Sequence, residues 1–157
     1  PVVIQPIDPH DPRVADALHA YMTEVLGVCG MNGLSLAQAT TDVADYCPPG
    51  GIFLVAWSDD EVVACVGLRT LSAQIGEIKR MWVSPNLRGR GVGAALLEAV
   101  EEHAVTMGFD TLRLDTHEGL AAAVALYRAN GYRTIPAYND NPDATHFFEK
   151  RLRTIQG

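Results

Sequence analysis

Residues 77–96 read EIKRMWVSPNLRGRGVGAAL, and this stretch decides the fold. An apolar strand pattern ends at Val83, and a glycine-rich turn then leads into a helix pattern. Glycines at a helix start let backbone N–H groups turn toward one point, because no side chains stand in the way. The unpaired amides of a first helical turn attract an anion, and Arg88 and Arg90 add positive charge. The stretch therefore predicts a phosphate-binding turn.

Two other phosphate-binding motifs fit this turn less well. A P-loop requires a Lys-Ser or Lys-Thr pair after its glycines, and none follows here. Gly89-x-Gly91-x-x-Ala94 does match the G-x-G-x-x-A pattern of dinucleotide-binding proteins, and Asp115 lies about twenty residues further on. That motif turns directly off its strand, however. Here residues 84–88 intervene, and the neighbouring sequence predicts antiparallel hairpins.

The whole chain predicts an α/β (α+β) fold with a mixed, mainly antiparallel sheet flanked by helices, in the order βααβββαβαββ. The predicted strands are Val2–Pro6, Ile52–Trp57, Val62–Leu68, Ile75–Val83, Thr111–Asp115, Tyr132–Ile135 and Thr145–Leu152. The predicted helices are Arg13–Leu26, Leu36–Tyr46, Val92–Met107 and Leu120–Asn130, with a loop over Gly27–Gly33. There is no internal repeat or long linker, so we expect residues 1–157 to form a single domain.

The composition is typical of a soluble globular protein, with 157 residues of which 48% are hydrophobic and 20% charged. A net charge of −7 argues against binding nucleic acid by phosphate neutralisation. The three cysteines lie 18 residues apart without a C-x-x-C pair, which predicts no metal site and a reducing compartment. Without a signal-peptide pattern or an apolar run of membrane-spanning length, we expect a cytoplasmic protein that does not bind membranes.

Charge is distributed unevenly along the chain. Residues 1–68 contain one basic residue and nine acidic ones, whereas residues 69–157 contain eleven basic and ten acidic residues. One interpretation is a pair of half-sites, one suited to an anionic ligand and one to a cationic ligand. Ordinary variation of surface charge explains the same distribution equally well.

The segment Arg88-x-x-Gly91-x-Gly93 resembles the R/Q-x-x-G-x-G/A motif of the GNAT N-acetyltransferase superfamily. The strand EIKRMWVSP, the helix AALLEAVE, the strand LRLDT and the helix AxxLYRxxGY follow the family's order, so the resemblance covers nearly the whole chain. It implies an acyltransferase that moves an acetyl group from acetyl-coenzyme A to a primary amine by direct transfer. The residues implied to bind acetyl-coenzyme A are Met81, Trp82, Val83, Arg88, Gly89, Arg90, Gly91, Val92, Gly93 and Ala94.

The resemblance also implies roles for parts of the backbone. In the family, the glycine-rich turn holds the pyrophosphate, and the preceding strand splays from its neighbour at a bulge. The backbone of that strand, here Met81–Val83, pairs with the pantetheine arm. The N–H of Val83 would then polarise the thioester carbonyl, since a developing oxyanion needs a fixed donor. Leu120 stands where the family often has an asparagine that touches the pantetheine, so that contact is absent here or comes from elsewhere.

Two residues are implied to be catalytic. Tyr127 occupies the family position of the acid that protonates the departing thiolate. Glu77 occupies a position where several members place a general-base glutamate, which partial burial would bring toward neutrality. An ion pair between Glu77 and either Lys79 or Arg80 is the alternative. His117 and His146 are less favoured candidates for the base.

The acceptor side of the family corresponds here to about Tyr21–Tyr46 and Thr134–Thr145. These segments carry acidic residues, which predict a cationic small-molecule or peptide amine as the acceptor: Glu24, Asp42, Asp45, Asp140 and Asp143. Dimers are common in the family, so a homodimer is a further expectation, although no patch in the sequence supports it. The alternative function is a non-catalytic regulatory module that binds coenzyme A, which Tyr127 and the intact turn disfavour.

Overall fold

The structure, a computed structural model, describes residues 2–29 and 43–153. The strands are β1 (Val3–Pro6), β2 (Gly51–Ser58), β3 (Glu61–Ser72), β4 (Ile75–Val83), β5 (Thr111–Thr116), β6 (Arg133–Thr134) and β7 (His146–Arg151). The α-helices are α1 (Pro12–Cys29), α2 (Val92–Thr106) and α3 (Ala121–Ala129), and short 3-10 helices span Val43–Tyr46 and Pro85–Leu87. No helix in this described part of the chain combines the length and apolarity needed to cross a bilayer.

The seven strands of the described residues lie in one sheet, in the order β1-β2-β3-β4-β5-β7-β6. Only β4 and β5 run parallel, because α2 carries the chain back across the sheet between them; the other neighbours are antiparallel. This arrangement confirms the mixed, mainly antiparallel α/β fold predicted from the sequence.

Side chains of β2 alternate between two buried cores, as expected for a sheet covered on both faces. Phe53 and Val55 face α1, where they pack with Leu18. Leu54 and Ala56 belong to the opposite core, which is built on α2 and α3. The sheet is therefore a central layer, with α1 on one face and α2 and α3 on the other.

β4 separates from β5 halfway along its length. The two strands pair only from Ile75 to Glu77, opposite residues 111–113. On the other side of β4, the pairing with β3 shifts register between Cys65 and Gly67. Arg80 of β4 lies opposite this shift and adopts a φ of 58°. An extra residue in one strand bends it and increases its twist, so this bulge directs the end of β4 away from β5. A gap opens between the two strands.

The structure corrects several predicted element boundaries. α1 continues to Cys29, so Gly27 and Val28 are helical rather than part of a loop, and residues 30–33 lie outside the described residues. β3 extends past Leu68 to Ser72 because it continues to pair with β4. β6 has only two residues, since it pairs with β7 at Arg133 and Thr134 alone.

The helix predicted over Leu36–Tyr46 is described only at its end. There, Val43–Tyr46 forms a 3-10 helix instead of an α-helix, and Pro48 and Pro49 follow too closely for the turn to continue as a helix. Residues 36–42 lie outside the described part of the chain.

Candidate active site

The glycine-rich turn presents unpaired amides at the start of α2. Gly89 and Gly91 have φ angles of 77° and 81°, in the left-handed region that a side chain strains. The N–H of Ala95 donates to the carbonyl of Gly91 at 3.0 Å, as the first bond of the helix. The N–H groups of residues 92–94 therefore have no carbonyl partner within α2 and attract an anion.

The other predicted residues of the turn differ in their roles. Gly93 packs closely against α3: a Cβ there would lie 2.8 Å from Cδ2 of Leu126, so the end of that side chain would have to shift. The side chain of Val92 is buried in the core, so only its backbone is available to a ligand. Arg90 is exposed and does not line the cleft at the turn.

Arg88 is held by two partners beside the turn. Its Nε donates to the carbonyl of Val83 at 3.0 Å, and its Nη2 forms a short hydrogen bond to Glu24 of α1. Both side chains are about one-third exposed. The guanidinium is thus fixed next to the amides of the turn, while the carboxylate of Glu24 offsets part of its positive charge.

A first cleft of about 410 Å³ runs from the turn along the open edge of β4. Met81, Trp82 and Val83 line it, opposite the start of α3. The N–H of Ser84 donates to Val63 of β3 at 2.8 Å. Because successive N–H groups of a strand point to opposite sides, the N–H of Val83 faces the gap toward β5. The cleft therefore offers an unpaired strand edge at one end and unpaired helix amides at the other.

A second cleft, of about 440 Å³, lies on the other side of Met81. Its walls come from the end of β5, the loop of residues 139–144 and one face of α3. Five residues line both clefts and so mark their junction: Tyr21, Val25, Met81, Leu120 and Ala123. Two ligands, one in each cleft, would meet at this junction.

Tyr127 projects from α3 into the second cleft. Its ring is buried against Tyr132 and Phe148, with ring centroids at 5.8 and 6.2 Å. Burial raises the pKa of the Tyr127 hydroxyl, and the nearby Tyr21 and Asp115 raise it further. No hydrogen bond of this hydroxyl to another described residue is found, and its raised pKa keeps it protonated at neutral pH.

Glu77 is buried beneath the second cleft, with 1% of its surface exposed. One carboxylate oxygen accepts a hydrogen bond from Nε of Arg69 at 2.8 Å, and the other accepts from the hydroxyl of Tyr138 at 2.7 Å. Nζ of Lys79 lies 3.8 Å away. Glu77 lines neither cleft. Its ion pair is with Arg69 rather than Arg80, and Lys79 is a more distant partner.

The two histidines considered as bases lie in different places. His117 lines the second cleft, and its Nδ1 accepts a hydrogen bond from the N–H of Gly119 at 2.9 Å. That bond leaves Nε2 as the protonated nitrogen of the neutral ring. His146 lines neither cleft but a separate groove beside Arg128. Of the two, only His117 is placed to touch a ligand in the second cleft.

Among the described residues, the acidic side chains expected to form an acceptor site do not converge. Glu24 lines the first cleft, and Asp45 is exposed beside Arg69, outside the second cleft. Asp140 lines neither cleft, and Asp42 lies outside the described residues. Asp143 does line the second cleft, but three basic residues line it too: Arg69, Lys79 and Arg80.

Comparisons with known proteins agree with this geometry. The sequence model of the Acetyltransferase (GNAT) family matches residues 20–132. The chain belongs to the GNAT acetyltransferase family. An uncharacterised N-acetyltransferase of Schizosaccharomyces pombe is 30% identical over 137 residues, which is 83% of each chain. A crystal structure from Klebsiella pneumoniae, provisionally described as an acyl-CoA N-acyltransferase, is 32% identical, with a TM-score of 0.79 over 97% of this chain and 98% of its own.

A third relative was solved with coenzyme A. The PaiA N-acetyltransferase of Thermoplasma acidophilum shares the fold at 15% identity, with a TM-score of 0.76 over 97% of this chain and 99% of its own. GNAT acetyltransferases use acetyl-coenzyme A as cosubstrate, and the present chain is an acetyltransferase of this family. The first cleft fits that cosubstrate, because unpaired amides suit a pyrophosphate and an open strand edge suits an amide-containing arm.

Two residues of the GNAT site are not recognisable from the sequence. Tyr21 lies on the apolar face of α1, where a core role is the natural expectation, yet it lines both clefts. Burial raises its pKa to about 12, against the opposing effect of Arg80. Arg69 lies beyond the predicted end of its strand and carries no motif. Only the observed length of β3 places it beside Glu77.

Proposed function

We propose that this GNAT protein transfers the acetyl group directly from acetyl-coenzyme A to a primary amine while both substrates are bound. The meeting of the two clefts at Tyr21 and Met81 carries this proposal. A thioester lying along β4 would place its acetyl group at the junction, and an amine in the second cleft would reach it. No covalent enzyme intermediate is proposed, since Cys65 is buried and burial raises the pKa of its thiol to about 12.

Backbone and side-chain donors would act at different atoms of the thioester. As the amine nitrogen bonds to the carbonyl carbon, the oxygen gains negative charge, and the N–H of Val83 donates to it. The carbon–sulfur bond then breaks, and the sulfur takes the proton of the Tyr127 hydroxyl. The raised pKa of Tyr127 keeps that proton in place until negative charge develops on sulfur.

The attacking amine must lose a proton, and Glu77 is our proposed base. Its carboxylate lies behind Arg69 and Lys79, which do line the second cleft, so the proton would reach it through water. His117 is the second candidate, because its ring lies in the cleft itself, although its Nδ1 would have to release the hydrogen bond from Gly119 to accept a proton. Replacing each residue by glutamine and measuring the pH dependence of kcat/KM distinguishes the two.

Two further expectations belong to this proposal. The free thiols of Cys47 and Cys65 support a cytoplasmic location. A homodimer is compatible with the family, and sedimentation equilibrium tests it. The cationic acceptor predicted from the sequence stays a prediction: Asp143 lines the second cleft, Glu24 lines the first, and Asp42 lies outside the described residues.

The test of the proposal is thiol release from acetyl-coenzyme A in the presence of an amine library. Tyr127→Phe should lower kcat by roughly 100-fold or more, as expected for loss of a general acid, while acetyl-coenzyme A binds unchanged. Tyr132→Phe is the matched control, because that buried hydroxyl donates to Glu101 rather than facing a cleft. A non-catalytic module that binds coenzyme A would release no thiol with any amine in either variant or in the parent.

A further inference from the structure

We propose that Tyr21 is a further catalytic residue, whose hydroxyl binds the attacking amine and turns its lone pair toward the thioester. The inference rests on the proposed function, since it concerns the same transfer, and it adds a third group to Val83 and Tyr127. It assigns a role in the reaction to a residue that the sequence places on the apolar face of α1.

Tyr21 differs in chemistry from the other residues at the junction of the clefts. Five described residues line both clefts, and four of them are apolar: Val25, Met81, Leu120 and Ala123. Among the described residues, the hydroxyl of Tyr21 is therefore the one polar side-chain group at the place where the two substrates would meet. An amine that leaves water for an apolar junction needs a polar partner there. Tyr21 supplies that partner.

The fold brings two phenols to the reacting atoms from opposite sides. α1, which carries Tyr21, covers one face of the sheet, and α3, which carries Tyr127, covers the other. Both tyrosines line the second cleft, and Tyr21 is near enough to raise the pKa of the Tyr127 hydroxyl. Because Tyr127 would serve the departing sulfur, Tyr21 can serve the amine that arrives through the second cleft.

Tyr21 is held between two anchors on α1. Residues three apart on a helix share a face, so Leu18 and Glu24 lie on either side of Tyr21 along the same face. Leu18 is buried against β2 in the core of Phe53 and Val55. Glu24 accepts the short hydrogen bond from Arg88 at the glycine-rich turn. The position of the Tyr21 ring is thus fixed relative to both the sheet and the turn, as a positioning group requires.

The hydroxyl of Tyr21 remains neutral while the amine loses its proton. Burial raises the pKa of Tyr21 to about 12; Arg80 acts in the opposite direction, and the nearby anionic or ionisable groups raise the pKa further: Tyr46, Asp115 and Cys65. A neutral hydroxyl oxygen accepts a hydrogen bond from an N–H without stabilising a positive charge. A carboxylate at the same place would favour the ammonium form, whose nitrogen has no lone pair for attack.

The proposed contact requires two hydrogens on the amine nitrogen. One N–H donates to the oxygen of Tyr21, and the nitrogen lone pair forms the bond to the carbonyl carbon. The base takes the other hydrogen of the nitrogen as a proton, the carbon–sulfur bond breaks, and sulfur takes the proton of Tyr127. Tyr21 keeps its own proton throughout. A neutral primary amine has both hydrogens, whereas a secondary amine has only the one that the base removes.

The first test is Tyr21→Phe, which removes only the hydroxyl. With the primary amine that the parent acetylates fastest, kcat/KM should fall roughly 10-fold, as expected for the loss of one hydrogen bond. The Kd of acetyl-coenzyme A, measured by titration calorimetry, should stay within about twofold of the parent. Tyr132→Phe is the matched control, since its hydroxyl donates to Glu101 and lines neither cleft. An unchanged kcat/KM, or weaker acetyl-coenzyme A binding that accounts for the whole loss, overturns the inference.

The second test compares primary amines with their N-methyl derivatives, using pairs of which the parent acetylates both members. Tyr21→Phe should lower kcat/KM more for the primary amine than for the N-methyl amine, which narrows the preference of the parent. Tyr127→Phe is the comparison, because it acts on the leaving sulfur and should lower kcat/KM for both amines by the same factor. Equal losses for both amines in folded Tyr21→Phe overturn the inference and leave the proposed function standing. If the parent acetylates no amine at all, the proposed function itself fails, and the inference fails with it.

Discussion

Arg88 of the glycine-rich turn donates a short hydrogen bond to Glu24 of α1, across the first cleft. The expected anion-binding arginine therefore has a carboxylate beside it. The pair also connects the turn to the helix that supplies Tyr21, so the two walls of the cleft are joined where the pyrophosphate would lie. If acetyl-coenzyme A binds in the first cleft as proposed, its phosphates would lie next to an existing negative charge.

Removal of that charge should strengthen cosubstrate binding. Glu24→Gln keeps a hydrogen-bond acceptor for Arg88 but removes a carboxylate next to the phosphates. We expect acetyl-coenzyme A to bind about 2- to 5-fold more tightly, in line with the modest energy of partly exposed ion pairs. The gain should shrink as salt is raised, because salt screens the interaction. Titration calorimetry at two salt concentrations measures this, with the exposed hairpin variant Glu61→Gln as the control. Weaker binding by Glu24→Gln would show that Glu24 mainly positions Arg88.

Two glycines of the turn should respond differently to alanine. Gly91→Ala meets no neighbouring atom but adopts a left-handed conformation, which costs about 1–2 kcal/mol of stability. Gly93→Ala places a methyl group against the end of the Leu126 side chain, which can shift, and should cost at most about 1 kcal/mol through overpacking. Urea unfolding measures both costs.

The combination with Leu126→Ala separates the two mechanisms. It should rescue part of the loss in Gly93→Ala, since it removes the clashing atoms, and none of the loss in Gly91→Ala. If the losses in unfolding free energy of the single variants simply add in both double variants, the packing role of Gly93 is refuted.

The parts of the site that sequence predicts are those built from backbone. The turn needs glycine at residues 89 and 91, because their φ angles are positive, and this requirement is visible in the sequence. Met81–Val83 is similarly defined by its place just before the turn. Such local rules also place α2 and α3: α2 begins at Val92 as predicted and ends one residue earlier, and α3 is one residue shorter at each end.

The parts that sequence misses depend on which distant side chains meet. The acidic residues of the first half of the chain suggested one cluster, yet Glu24 and Asp45 lie at separate arginines. Tyr21 has the spacing of a core residue, and no local signal distinguishes a residue that lines a cleft from one that fills a core. The bulge at Arg80 determines which side chains face the second cleft, and its position follows from tertiary pairing.

The buried carboxylate of Glu77 should make Arg69 important for stability. Removal of one member of a buried ion pair leaves an uncompensated charge, whereas removal of both does not. We expect Arg69→Gln to lower the free energy of unfolding by about 2–4 kcal/mol, and Arg69→Gln/Glu77→Gln to lower it by less than the sum of the single variants. Urea unfolding at neutral pH measures this double-mutant cycle. Simple additivity would mean that Tyr138 and Lys79 alone stabilise the carboxylate.

Activity should persist into alkaline solution if Tyr127 is the acid. A general acid works in its protonated form, and burial raises the pKa of Tyr127 above its ordinary value of 10.0. We therefore expect kcat to rise as the acceptor amine loses its proton and to remain on a plateau up to about pH 10. The same direction of shift governs stability: the folded state favours the neutral phenol, so its contribution is fully present below pH 10 and is lost at higher pH. Measuring kcat and the circular dichroism signal over the same pH range separates the effect on catalysis from the effect on stability. A fall in kcat near pH 8 in a folded protein would assign the proton to another group.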